Sequence, residues 1–179
     1  FVHIMCPQLP SYLDSNRLQY IRSGGIVESI DDAFWAEPLN EGIARAFAQY
    51  FGQMNGHFGS ATYYPWAEPR AESKKVLLRF HRFDVTDEEK VFVSASWVVR
   101  EATKEAETGM FELSELTWDR KDPLSLVAAY NKALRLFAEE ILKVPEFILA
   151  EPVFVLFPDN TSVPIPSLSK FPDPAIIPP

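Results

Sequence analysis

Phe34-Trp35-Ala36-Glu37-Pro38-Leu39-Asn40-Glu41-Gly42-Ile43-Ala44-Arg45-Ala46-Phe47 (FWAEPLNEGIARAF, residues 34–47) is where strand-like sequence hands over to a helix. Pro38 suits a first helical position, because that residue needs no N–H and the ring already fixes a helical φ. Glu41 falls in the first turn, where the positive end of the helix dipole favours a carboxylate. Leu39, Ile43, Ala46, Phe47 and Tyr50 then recur on one helical stripe, and Gly52 offers a C-terminal stop. The pattern predicts a helix over 38–51. Trp35, just ahead of it, is expected to pack under that helix and fix its angle rather than to meet a ligand.

Upstream, residues 1–9 read as a first strand closed by Pro7, Pro10 and Ser11, with Tyr12-Leu13-Asp14 turning the chain. Arg17–Arg22 and Ile26–Ile30 flank Gly24-Gly25 as a hairpin. Downstream, residues 53–70 read as a loop holding a short strand near 60–64. Lys74–Phe83, Lys90–Arg100 and Gly109–Trp118 follow as an antiparallel meander. Within Lys90–Arg100, Val91, Val93, Ala95, Trp97 and Val99 form one large apolar face, which assigns Trp97 to the core.

Asp122-Pro123-Leu124 repeats the grammar of Glu37-Pro38-Leu39 and opens a second helix. Its stripe of Val127, Tyr130, Leu134, Phe137 and Ile141 runs to about Leu142, and Pro145 ends it. Nine of the fifteen prolines stand at or beyond Pro145. Pro152–Pro158 reads as a short strand or an extended apolar clip, and the proline density of Val163–Pro179 excludes helix and central strand there. Residues 1–144 are therefore expected to be one α+β domain and 145–179 a proline-rich extension. Phe154, Leu156, Phe157, Ile165, Phe171, Ile176 and Ile177 make that extension too apolar for a simple linker. It is expected to lie along a neighbouring subunit or along its own sheet edge. The fold predicted is a two-layer sandwich, a mostly antiparallel sheet with two helices on one face.

Composition limits function before any motif does. Seventeen basic and twenty-five acidic residues leave a net charge of −8, which argues against a nucleic-acid partner, whose phosphates are met by Lys and Arg. Cys6 is the single cysteine, so neither an internal disulfide nor a Cys-rich metal site can form. It reads as a small buried hydrophobe or, alternatively, a reactive thiol. His3, His57 and His81 are scattered with no ligand at helical or strand spacing, and no metal or cofactor is expected. The carboxylate pairs Asp31-Asp32, Glu88-Glu89 and Glu139-Glu140 read as solvated charge, and Ser94 and Ser96 have no nucleophile elbow around them. The remaining candidate is Tyr63-Tyr64-Pro65-Trp66, which either presents a contact surface for a partner or folds over a sheet edge. No apolar run is long enough for a membrane helix and no signal peptide is present. The chain opens in mid-strand, so an upstream segment is expected to be missing.

Leu9-Pro10-Ser11-Tyr12-Leu13-Asp14, the Gln19-Tyr20 strand, Trp35-Ala36-Glu37-Pro38-Leu39 and the Val91–Val99 strand with Trp97 occur in an order and spacing that resembles the ABC-type transport auxiliary lipoproteins, the paraquat-inducible protein C-like group. The resemblance spans roughly residues 2–142, and the W-A-E-P-L match is its most specific part. It implies a non-enzymatic, lipid-anchored periplasmic component, usually at the outer membrane. Such a component accompanies mammalian-cell-entry domain proteins and ABC transporters that move lipids between membranes. Pro10, Tyr12, Leu13, Trp35, Pro38, Leu39 and Trp97 are then motif residues serving fold or contact. Self-association of the chain is left open. Cys6 is not the lipidated residue, because Ile4-Met5 lacks the small residue expected before it, so an anchor would lie upstream. A domain that carries lipid or another small molecule between helices and sheet is the alternative reading. An enzyme of unknown class is a third, with no motif behind it.

Overall fold

The computed structural model describes residues 1–54, 61–144 and Phe147, and the expected proline-rich extension falls almost wholly outside them. The elements are β1 (Val2–Ile4), a 3-10 turn (Ser11–Leu13), β2 (Arg17–Arg22), β3 (Ile26–Phe34), α1 (Leu39–Met54), β4 (Ala61–Tyr63), β5 (Lys74–Val85), β6 (Val91–Arg100), β7 (Glu107–Leu113) and α2 (Pro123–Leu142). The class is α+β.

The larger sheet has the order β4-β1-β5-β6-β7, and β2-β3 form a separate two-stranded sheet. The meander is present: β5, β6 and β7 pair antiparallel in sequence order. The sheet as a whole is mixed, however, because β1 runs parallel to both β4 and β5. Parallel neighbours require a long crossover, and the hairpin and α1 together supply it. A reading from local pattern alone sees the hairpins and misses this.

The first strand is shorter than the expected 1–9. β1 ends at Ile4, and Cys6 lies in the ribbon that follows it. That ribbon still tracks β5: Met5 N donates to Val76 O at 2.9 Å, Gln8 N to Leu78 O at 2.9 Å, and Phe80 N to Gln8 O at 2.8 Å. Pro7, which has no N–H, interrupts the ladder. β7 begins at Glu107, two residues before the expected Gly109, and ends at Leu113, well before Trp118.

Lys74–Phe83 reads as apolar on both faces because the strand changes face midway. Phe80 pairs with Ala95 and Arg82 with Ser94, which leaves His81 as a bulge. Val76, Leu78 and Phe80 point into the core before it, Phe83 and Val85 after it.

α1 does not stop at Gly52. It runs to Met54, with Phe51 and Gly52 both buried, so the burial of its apolar face outweighs the ~1 kcal/mol that glycine costs in a helix interior. Pro38 stands one residue ahead of the helix, and its carbonyl accepts from Glu41 N and Gly42 N, each at 3.0 Å. α2 starts as expected: Asp122 caps it by accepting from Leu124 N at 3.0 Å, with Pro123 at the first position. The helices and the sheet share one core around Phe137. Its ring stacks on Phe111 at 4.6 Å and meets Phe47 and Phe80 edge-on at 5.3 and 5.8 Å. Burying each such ring contributes roughly 1.5–3 kcal/mol.

Candidate functional site

Between α1 and α2 lies an open groove of about 400 Å³. Its floor is Phe83 and Tyr130, whose rings stack at 4.1 Å. Ile43 and Ala46 supply one wall, Val127 and Leu134 the other. The positions follow from helical spacing, since Ile43 and Ala46 lie three residues apart and Val127 and Leu134 seven, two turns, so each pair shares a face. Trp35 closes one end. Its backbone N–H donates to Asn16 O at 2.7 Å, tying it to the hairpin, and its half-buried indole stacks on Tyr130 at 6.1 Å and 19°. At the mouth, Glu37 accepts from Arg45 through Nε at 3.0 Å and through Nη2. That hydrogen bond raises the Arg45 pKa. Glu37 thus holds α1 by reaching two turns along it.

Tyr50 spans the two helices by donating to Asn131 O at 3.2 Å. Burial raises the pKa of Tyr50 and, together with the nearby Asp84 and Tyr12, that of Tyr130. Both phenols are therefore neutral at ordinary pH. Among the described residues lining the groove, the charged groups are Glu37 and Arg45, and they face each other. The arrangement can receive an apolar body; its described lining holds no nucleophile paired with a base.

The structure gathers Trp35 and Leu39 at this groove, with Pro38 beside them, and separates the other motif residues from it. Leu13 is buried, and Pro10 starts its turn by accepting from Leu13 N at 3.0 Å. Tyr12 donates to Asp84 Oδ2 at 3.2 Å and accepts from Phe83 N at 3.3 Å. Asp84, only 3% exposed, also accepts from Arg82 Nε at 2.8 Å, and Arg82 in turn lies 3.9 Å over the Phe92 ring. Trp97 is buried with its Nε1 unpartnered among the described residues. Its indole occupies the space above Gly109, where an added Cβ would come within 2.4 Å of Cζ2.

Of the aromatic loop, Tyr63 is half-buried in β4, while Tyr64 and Trp66 are 46% and 73% exposed. Tyr64 N donates to Ile4 O at 3.0 Å, so the backbone there extends the sheet while the outer rings face solvent.

Cys6 is half-buried rather than enclosed, with Asn40 Nδ2 at 3.4 Å from its sulfur. His3 is buried and shares a hydrogen bond with Thr62 Oγ1 at 2.8 Å; desolvation lowers its pKa. His81 is exposed at the bulge, 3.1 Å from Ser96 Oγ. His57 lies outside the described residues. Among those described, no group of three or more His, Cys, Asp or Glu is placed to hold a metal ion, and no helix is long and apolar enough to cross a membrane. Tyr130 and Asp84 were not singled out from sequence as site residues. Asp84 carried the clearer signal, the single carboxylate in a strand whose other charged residues are basic.

Comparison with known proteins gives the following. The family model for ABC-type transport auxiliary lipoprotein components matches residues 1–142. No curated protein matches the chain. Solved structures share the fold, among them two of similar coverage. A crystal structure of an uncharacterized protein superposes with a TM-score of 0.67 at 13% identity, covering 79% of this chain and 89% of its own. A Xanthomonas campestris protein of the DUF330 family does so with a TM-score of 0.62 at 15% identity, covering 79% and 80%.

Proposed function

This chain belongs to the ABC-type transport auxiliary lipoprotein component family, and on that premise we propose that it is a non-catalytic accessory subunit of a lipid-transport system in the cell envelope. It acts in the periplasm, held at the outer membrane by a lipid anchor upstream of these residues. Its work is protein–protein contact with a mammalian-cell-entry domain protein and the ABC transporter components. The observation that carries this reading is the family match over residues 1–142, nearly the whole of the described chain. The exposed rings of Tyr64 and Trp66, beside the short edge strand β4, support a contact role, because aromatic side chains are enriched where proteins meet.

The test is site-specific photo-crosslinking in the native envelope, with the crosslinking residue at position 66. The expected product joins this chain to a component of the transport system. Products with unrelated envelope proteins alone, from positions 64 and 66 alike, would overturn the contact reading.

The groove between α1 and α2 favours a second reading, in which the domain carries a lipid or small-molecule cargo itself. Its volume of about 400 Å³ falls in the usual range of ligand sites. Native mass spectrometry after mild purification separates the two. A retained small molecule that is lost when Ala46 is enlarged to Phe supports cargo binding; a bare chain mass counts against it.

A further inference from the structure

The sheet has a second groove on the face away from Phe137. It is about 430 Å³ in volume, floored by Met5, Leu77 and Val98, with Arg79 and Arg100 at its rim. The placement follows from strand alternation: Val76, Leu78 and Phe80 point to the core, so Lys75, Leu77 and Arg79 point the other way. Register puts Leu77 opposite Val98 and Lys75 opposite Arg100. Like charges directly opposed on neighbouring strands are unfavourable. No carboxylate relieves them: neither Lys75 nor Arg100 has an ion pair among the described residues.

Arg79 stands two same-face steps from Lys75, roughly 13 Å along the strand. Its Nε–H donates to Gln8 Oε1 at 2.7 Å. That bond fixes the plane of the guanidinium and leaves both terminal nitrogens to donate. A fork held this way suits two oxygens of one carboxylate or phosphate. In a chain of net charge −8, an apolar strip with Arg79 and Arg100 at its rim, Lys75 opposite Arg100 in the register and no acid among its described lining residues is an unusual local field.

We propose that this outer groove binds an amphiphilic anion: a phosphate or carboxylate received by Arg79 or by the Lys75–Arg100 pair, with its apolar body over Leu77 and Val98. The site is distinct from the groove between the helices and does not depend on the cargo reading of that groove.

The test is a titration of the folded chain with dodecyl phosphate, followed by amide NMR shifts, with inorganic phosphate and dodecyl maltoside as parallel probes. Dodecyl phosphate is expected to shift the amides of Leu77, Ser96 and Val98. The double substitution Arg79→Gln, Arg100→Gln should weaken binding by about tenfold or more while leaving the rest of the spectrum in place. Equal binding of dodecyl maltoside would show that charge is not read, and equal binding of inorganic phosphate that the apolar floor is not used. Shifts centred on Val127 and Tyr130 would assign the amphiphile to the other groove. Each of these three results overturns the proposal.

Discussion

The indole of Trp35 lies 6.1 Å from the phenol ring of Tyr130 and nearly parallel to it, at 19°. The segment leading into α1 is thereby fixed to the middle of α2, and the distance between the helices is set at that end. Trp35→Ala removes this stack and part of the groove's end wall. Full burial would make the loss ~3–5 kcal/mol; a half-exposed ring should cost about 2 kcal/mol, including ~1 from the stacking itself. Trp35→Phe should recover most of it. Denaturant unfolding of the three chains checks the order, and an unchanged midpoint for Trp35→Ala would make the residue a surface contact.

The two helix starts look alike in sequence and differ in how they are held. Asp122 caps α2 directly through Leu124 N, so Asp122→Ala should lower stability by about 1 kcal/mol. Glu37 instead meets Arg45 at the surface, and such exposed pairs contribute about 1 kcal/mol or less. Glu37→Ala is therefore expected to cost less than Asp122→Ala, and to lose that cost in high salt. Parallel unfolding curves at low and high ionic strength distinguish the two.

That contrast also shows what was legible in the sequence. Periodicity located both helices, the Gly24-Gly25 hairpin and the β5–β7 meander, because each is encoded by residues a few positions apart. The parallel placement of β1 was not legible, since its partners Ala61–Tyr63 and Lys74–Val76 lie about sixty to seventy residues away. The bulge at His81 hid the core face of β5 for a related reason: it inverts the alternation on which the reading depends. Trp35 and Leu39 could be named as motif residues, but the groove they border needs Phe83 and Tyr130 from two other elements. Trp97 was placed in the core by alternation alone, whereas the fit of its ring above Gly109 depends on cross-strand register.

That fit is itself testable. An alanine at 109 would put its Cβ within 2.4 Å of Trp97 Cζ2, and the indole is buried with nowhere to retreat. Gly109→Ala should destabilise by about 1–3 kcal/mol, the usual cost of overpacking. In the double variant Gly109→Ala, Trp97→Phe, the smaller ring makes room, so the combined loss should be less than the sum of the single losses. A double-mutant cycle by denaturant unfolding measures the coupling; strict additivity would mean that the strand shifts to absorb the methyl group.

Tyr12 gives the fold a dependence on alkaline pH. Its hydroxyl replaces the strand partner that Phe83 N–H loses when the ribbon turns away at Pro10, and it donates to the buried Asp84. Burial, with the Asp84 carboxylate adding to it, raises its pKa from the ordinary 10.0 to about 12. The folded state thus binds the phenolic proton more tightly than the unfolded chain does. Stability from this proton is complete below about pH 10 and is lost as pH rises toward 12. Tyr130 is shifted in the same direction by its burial, so part of the alkaline loss should survive removal of Tyr12. Tyr12→Phe should cost about 1–3 kcal/mol near neutrality, by leaving Phe83 N–H unpaired and Asp84 with one partner fewer. It should also flatten the fall in stability above pH 10. Denaturant midpoints from pH 8 to 11.5 for both chains check this, and parallel curves would remove Tyr12 as a source of the pH dependence.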